Sequence, residues 1–576
     1  MVKKAIVLAA GFGTRLRPLT LSRPKPLLPV AGEPMLSRIL DMLVSWGVEE
    51  IAVNAHYLAD QVEDFINEYK GDSDKGVKIS VSRESTILGT GGVLRPLKDW
   101  IGADPFWLVN GDIVVEDLDP EPIEEAFERS GRFASCWMTE EFGPRTIEAD
   151  PEGRICNWRS DDAGYPGTYT YTGVAILSPG VIDFLPPVKK GDTGFCSIVD
   201  AYENAMMSSA KFVVGVQEPE AIWCDAGTCE VYKELNSEPM SPSLFADRRL
   251  DALVSAIGWK DDDTLAEFLG ARGSDRMFYK LMRGFSEDAK NTIPPVLGVV
   301  YEESRKENAN ARFPSIGRFL ESNGVRVPKL IADLPEHKAY ATEFISGSSL
   351  EKLANEKGVD HIGLYKPVIA LLNQLWSISP SANGLPELEP EFGPELFAWE
   401  RDLFIKECIN GRYSIKSIPD KVRHELEEVA EKLSQEAKVL VHRDFQSANI
   451  LYSGDDNSKP WLIDYQGMRL GAAAYDVASL LFDPYVPMDE TTRKLLIELT
   501  VKSCSQAPAE ESIVFAAIQR LCQALGAYCR LGSAGQTGFE KFIPRALNNL
   551  HQASHSAGFS NLAEFIGQII NYEKMI

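Results

Sequence analysis

Short apolar runs alternate with helically spaced apolar positions over the first 235 residues. KAIVLAA (4–10), EEIAVNAH (49–56), VKISVS (77–82) and DPFWLVNGD (104–112) read as buried parallel strands. Between them, PMLSRILDMLVSWG (34–47) and LADQVEDFINEY (58–69) repeat apolar residues at the three- and four-residue steps of an amphipathic helix. That order predicts right-handed crossovers and a doubly wound α/β sheet over residues 1–235. The polar, proline-bearing stretch NSEPMSPS (236–243) reads as a linker. A second pattern begins near Leu244 with helical text. RMFYKLMRG and PPVLGVVYEE then predict two antiparallel strands, FPSIGRFLESNG a helix and KAYATEFI a strand. Helical text runs on to the C-terminus, broken by VLVHRDFQSANILY and PWLIDYQG. Residues 244–576 are thus expected to form a bilobal α+β domain, a small strand-rich lobe before a large helical one.

Composition narrows the class. At 576 residues the chain exceeds what one core organises. Its 44% hydrophobic and 25% charged content is that of a folded soluble protein. No apolar run approaches a membrane span, and the basic, glycine-broken start lacks a signal-peptide pattern. A cytoplasmic protein without a membrane partner is expected. The nine scattered cysteines lack paired zinc spacing and predict reduced, mostly buried thiols. A net charge of −25 argues against a nucleic-acid polymer as partner. Residues 1–32 depart from this acidity: Lys3, Lys4, Arg15, Arg17, Arg23 and Lys25 stand there with no acidic residue. Because the cluster surrounds a glycine turn, it predicts a site for a small anion.

The turn is LAAGFGTR, residues Leu8, Ala9, Ala10, Gly11, Phe12, Gly13, Thr14 and Arg15. Gly11 and Gly13 let backbone amides approach phosphate oxygens, and Arg15 adds a charged fork. It is not a P-loop, since no GK[ST] follows, nor a dinucleotide fingerprint, since Leu16 occupies the third glycine position. Ten residues on, Lys25 stands between prolines that are expected to hold it extended, towards the same turn. Asp112 ends an apolar strand at the carboxyl edge of the predicted sheet, and Asp225 lies in a glycine-containing turn. Two such carboxylates can hold one Mg²⁺.

Together LAAGFGTRLRPLT and PKPLLPVAG resemble the signature of sugar-phosphate nucleotidyltransferases, and the resemblance continues in order over residues 1–235. It implies a Rossmann-like domain in which ILGTGG (87–92), with Gly89 and Thr90, holds base and ribose. It makes Asp112 of LVNGD and Asp225 of WCDAGT the metal ligands, and Arg15 and Lys25 the catalytic cations. Within the family, the short domain and its WCDAGT ending are most similar to uridylyltransferases acting on N-acetylmuramate 1-phosphate. This implies UTP as substrate and a sugar side formed by Asn110, Thr172 and Gly173.

The second constellation is VHRDFQSANILY (441–452) followed by LIDYQG (462–467). Asp444 is placed to accept a proton from an attacking hydroxyl, while Asn449 and Asp464 would bind Mg²⁺ on ATP phosphates. His442 is read as packing within the loop, and Asp476 as its anchor. The text resembles aminoglycoside-phosphotransferase-like kinases, since no APE or activation-loop text follows. RGSDRMFYKL, ENANARF, LFAWERDLF and IQRLCQALGAYCRLG…FIPRALNNL (518–550) are most similar to kinases that phosphorylate N-acetylmuramate and N-acetylglucosamine at the anomeric hydroxyl. One departure is plain: LGVVYEE has no lysine where many kinases grip ATP phosphates.

The reading is a fusion enzyme of cell-wall recycling that makes a sugar 1-phosphate from ATP and a UDP-sugar from UTP, acting on small molecules with Mg²⁺. Its rivals are a choline kinase joined to a phosphocholine cytidylyltransferase, which an aromatic cage would favour, and a heptose or mannose kinase–guanylyltransferase. A nucleotide-sensing module is a third, disfavoured by the intact Asp444, Asn449 and Asp464.

Overall fold

The computed structural model describes residues 1–72, 76–160, 167–189, 191–209, 211–272, 275–283, 293–302, 309–453, 456–533 and 537–573. Of the motif text above, Gly273, Ser274, Gly284, Glu303, Glu307 and Asn308 lie outside the described residues. The chain divides into two compact units, Met1–Asp251 with Lys260–Tyr279, and Ala252–Trp259 with Lys280–Ile576.

In the first unit the predicted strands form one parallel run: Phe106–Asn110, Lys4–Leu8, Glu50–Ala55, Lys78–Arg83. Alternation explains why the run reads as continuously apolar. Ala5 and Val7 enter one core with Val53 and Trp107, whereas Ile6 enters the opposite core with Ala52 and Leu108. The third predicted strand departs from expectation, because Lys78–Arg83 ends this run and only Ile79 within it is buried. The sheet is also mixed: Thr168–Leu177 pairs antiparallel with Phe106–Asn110. Lys4–Leu8 has Phe106–Asn110 on one side and Glu50–Ala55 on the other. The strand order thus reverses there, and a ligand crevice is expected at the carboxyl ends of these strands.

The expected linker, 236–243, belongs to the first unit. Asn236 is buried, accepts from the Ala31 amide at 3.0 Å and donates to the Tyr232 carbonyl at 3.0 Å. Met240 forms a β-bridge with Ala266. Ser237, Glu238, Pro239 and Ser243 remain exposed, while Asn236 and Met240 tie the stretch to this unit. Thr264–Arg272, within the text read as helical, is a strand in which Thr264, Ala266 and Phe268 are buried and their neighbours are not.

In the second unit Val296–Tyr301 and Leu330–Leu334 both pair antiparallel with Ala339–Glu343, and Ala309–Ser322 is the predicted helix. The large lobe surrounds Glu510–Ser533, a helix long and apolar enough to cross a membrane by composition. In the structure it is a core helix, with 83% of its most apolar window buried. Gly526 lets it touch the π-helix Phe404–Arg412: a Cβ there would lie 2.8 Å from the Phe404 amide nitrogen.

Candidate active sites

The glycine turn leaves Lys4–Leu8 at the crevice. The Leu8 carbonyl accepts from the Gly111 amide at 2.9 Å, and the Ala9 amide donates to Asn54 at 2.7 Å. Ala10 is buried, and beyond it Gly11, Thr14 and Arg15 are exposed. Gly13 has φ +60°, and a Cβ there would meet Thr20 Cγ2 at 2.7 Å. A left-handed, closely packed position of this kind calls for glycine. Lys25 begins a short 3₁₀ turn, Lys25–Leu27, rather than lying in extended chain; Pro26 fits that turn because its missing amide needs no partner. The side chain still reaches the site. Its Nζ sits 2.7 Å from Asp112 Oδ2 and 3.1 Å from Asp225 Oδ1. Arg15 Nη2 lies 3.7 Å from Asp225 Oδ2.

Asp112 and Asp225 are brought together because Ile222–Asp225 pairs antiparallel with Ile113–Glu116. A cavity of about 180 Å³ is lined by Leu8, Ala9, Gly11, Gly13, Thr14, Arg15, Lys25 and Asp112. A second, of about 390 Å³, is lined by Asn110, Thr172, Trp223 and Asp225 and shares Arg15 and Asp112 with the first. The two form one cleft with Arg15 and Asp112 at their junction and Asp225 on the wall of the second. Both carboxylates already bracket a cation, the Lys25 ammonium, so their spacing and hard oxygen donors fit Mg²⁺.

Other predicted positions have unexpected partners. Thr90 Oγ1 accepts from the Ile198 amide at 2.9 Å, at the start of the helix Ile198–Ser209. Gly89 has φ +76°, and a Cβ there would lie 2.5 Å from the Cys196 carbonyl oxygen. Thr172 donates to the Trp137 carbonyl at 2.9 Å. Gly173 makes room for Asn110, whose Nδ2 would lie 2.3 Å from a Cβ. Sequence reasoning missed Asn54 and Glu84. Asn54 Nδ2 donates to Glu84 Oε1 at 2.8 Å, and Glu84 Oε2 accepts from the Leu88 amide at 3.0 Å. This relay ties the glycine turn to the loop before Gly89. Its only trace in sequence was an asparagine inside an apolar strand.

In the second unit Lys438–Val441 pairs with Arg469–Ala472 and delivers the loop that carries Asp444. Asn449 Nδ2 donates to the Asp444 carbonyl at 2.9 Å. The Ile463 amide donates to the Asn449 carbonyl at 3.1 Å, setting Asp464 beside it. This pairing of a carboxylate and an amide oxygen beside Asp444 fits Mg²⁺ on a nucleotide phosphate. Among the described residues no cluster of three or more His, Cys, Asp or Glu side chains could hold a metal ion, so any ion would also need phosphate and water oxygens. His442 is fully buried, its Nε2 lies 2.9 Å from the Ile463 carbonyl, and burial lowers its pKa. It is a packing residue of the loop.

Asp476 accepts from the His442 and Arg443 amides, both at 2.9 Å, so it anchors the loop as its position implied. Burial pushes its carboxyl up to about 7, against those two donors. Asp476→Ala would leave both amides unmet in the interior, at about 1–3 kcal/mol each. Denaturant unfolding should show a loss of about 2–5 kcal/mol in this unit, with loss of any phosphotransfer. Unchanged stability would rule out the anchor role. Two partners were not legible. Asp483 accepts from Ser447 N at 2.9 Å and Tyr485 N at 3.0 Å. Glu400, fully buried and pushed up by desolvation, accepts from Tyr475 at 3.1 Å and Gln519 at 3.0 Å. Val296–Tyr301 carries no lysine, as expected.

Residues 4–240 match the family model described as nucleotidyl transferase, and residues 296–499 that of the phosphotransferase enzyme family, APH. Mannose-1-phosphate guanylyltransferase 1 of Arabidopsis thaliana is 32% identical over 188 residues, 31% of this chain and 51% of that protein. The mannose-1-phosphate guanylyltransferase catalytic subunit beta of Drosophila pseudoobscura pseudoobscura is 28% identical over 250 residues, 42% of this chain and 66% of that protein. The chain thus spans about half to two thirds of these relatives' length. Among solved structures, a putative glucose-1-phosphate thymidylyltransferase from Bacillus anthracis aligns at 22% identity and TM-score 0.36, covering 41% of this chain and 94% of that one. The two catalytic constellations fall within the two matched segments, and the chain is an enzyme that joins a nucleotidyltransferase domain to an APH-like kinase domain.

Proposed function

We propose that the chain phosphorylates a sugar at its anomeric hydroxyl with ATP and then converts the sugar 1-phosphate to a nucleotide-sugar. The observation that carries this is the presence of both constellations on one chain: Lys25 between Asp112 and Asp225, and Asp444 beside Asn449 and Asp464. In the kinase step Asp444 takes the proton of the sugar hydroxyl as that oxygen bonds the γ-phosphorus; the bond to the β-phosphate oxygen breaks and ADP leaves. In the transferase step a phosphate oxygen of the sugar 1-phosphate bonds the α-phosphorus of a nucleoside triphosphate, and pyrophosphate leaves. Arg15 and Lys25 stabilise the charge that moves onto the leaving group. Mg²⁺, held by Asp112 and Asp225 in one site and by Asn449 and Asp464 in the other, would neutralise phosphate charge. The cytoplasmic setting, where ATP is plentiful, is part of the same proposal.

The relatives are named for mannose 1-phosphate and guanylyl transfer, which favours mannose 1-phosphate, or a heptose 1-phosphate resembling it, with GTP as the first pairing. That differs from the UTP and N-acetylmuramate implied by the sequence resemblance. The amino-sugar reading is kept as second, on the text 518–550. A ³¹P NMR panel with mannose, a heptose, N-acetylglucosamine, N-acetylmuramate and choline, each with ATP and then with GTP, UTP or CTP, separates them. Mannose or heptose turnover with GTP supports the first reading; amino-sugar turnover with UTP replaces it with the second. Phosphorylation of choline alone would remove the sugar assignment.

A further inference from the structure

The helix Glu510–Ser533 sends Arg520 into the interior beside Asp444. Its Nη2 lies 3.4 Å from Asp444 Oδ1, and its side chain is 8% exposed, against 35% for Asp444. Nη1 donates to Gln523. Nε is buried and has no hydrogen-bond partner among the described residues. Burying a guanidinium costs several kcal/mol unless its donors are met. Arg493, in the same unit, shows a buried arginine with all its donor nitrogens met. Its Nε donates to the Leu481 carbonyl at 3.0 Å and its Nη1 to Gln552 at 3.0 Å. Its Nη2 reaches the Met488 carbonyl and Asn549, both at 3.2 Å. Arg520 stops short of this. It has one long contact to the carboxylate that must take the acceptor's proton, and its Nε has no hydrogen-bond partner among the described residues. Arg443 Nη1 lies 3.9 Å from the other oxygen, Asp444 Oδ2. Glu400, Tyr475, Tyr485, Tyr528 and Asp483 are further ionisable groups around Arg520.

We propose that Arg520 is a positioning residue of the kinase site: from the buried helix its Nη2 steadies Asp444 Oδ1 and so fixes the orientation of the base. The assignment rests on the kinase reading above. It gives the IQR text of this helix a task that a core helix alone does not explain.

The test uses the full chain and the acceptor that turns over fastest in the panel. Arg520→Gln should lower kcat by about 10²-fold, because a misplaced base loses its alignment. The acceptor KM should stay near its wild-type value, because the buried guanidinium touches the base and not the acceptor. The KM for ATP should stay unchanged. Arg520→Lys keeps the charge without the fork and should recover part of the loss in kcat; it carries the same comparison if the glutamine variant does not fold. In the Asp444→Asn background, Arg520→Gln should lower kcat no further than about twofold, since no base remains to position. A folded variant with wild-type kcat overturns the assignment, as does one in which only the acceptor KM changes. So does a lowered Tm with unchanged kinetics of the folded fraction, or a penalty that multiplies in full in the double variant. If the wild-type chain phosphorylates no acceptor in the panel, the kinase reading itself fails and this assignment falls with it.

Discussion

Asp444→Asn is expected to lower ATP-dependent phosphorylation by about 10²–10⁴-fold, the span general-base catalysis commonly supplies. The substitution keeps the shape of the side chain and removes its capacity to take a proton. It also spares the loop, because Asn449 bonds the Asp444 carbonyl and Asp476 bonds the neighbouring amides, so neither contact uses the Asp444 carboxylate. Nucleotidyl transfer from supplied sugar 1-phosphate should stay within about twofold, since Lys25, Asp112 and Asp225 belong to the other unit. Loss of both activities in a folded variant would contradict two independent centres.

The reverse experiment should show a comparable effect. Asp225→Ala removes one of the two carboxylates that bracket the Lys25 ammonium and leaves that cation paired only with Asp112. Pyrophosphate release should fall by at least about 10²-fold, the scale of losing one preorganised electrostatic contact to the reacting groups. Asp112→Ala should behave alike. Phosphorylation of the sugar by ATP should be retained in both. The Asp225 side chain is 42% exposed, so its removal should change stability little and the loss can be read as chemistry. A fully active Asp225→Ala enzyme would reduce WCDAGT to a turn.

The parts of this account that were legible in sequence are those in which local text and chemistry coincide. The glycine turn, Lys25 ten residues beyond Arg15, and the HxD loop followed by an Asp-containing strand turn each sit within a few dozen residues. Apolar runs exposed the parallel sheet because both of its faces are covered. Failures came where a distant partner decides. TLAEFLGAR is rich in helix formers, yet Thr264–Arg272 is a strand, its inward positions set by packing. Thr90 and Thr172 sit in the expected segments, and what was not legible is only their hydroxyl partners, Ile198 and Trp137, 108 and 35 residues away. Asn54, Glu84, Glu400 and Arg520 are polar residues in buried settings, and each has a partner on another element. One sequence carries no pattern for such long-range polar pairs.

The central claim is that one unit makes what the other consumes. The transferase needs a free phosphate on the anomeric oxygen, so the kinase must place it there; phosphate on O6 would be a dead end. Sharing a chain keeps the two activities at equal abundance. The most direct measurement incubates the intact protein with the sugar selected by the panel, ATP, the matching nucleoside triphosphate and Mg²⁺, without any mutase. The kinase product is sampled before the second nucleotide is added, and its phosphate is located by ¹H–³¹P coupling. The account predicts coupling to the anomeric proton, followed by accumulation of nucleotide-sugar, ADP and pyrophosphate. Phosphate on O6, or on a non-sugar alcohol, with no nucleotide-sugar formed, would contradict it.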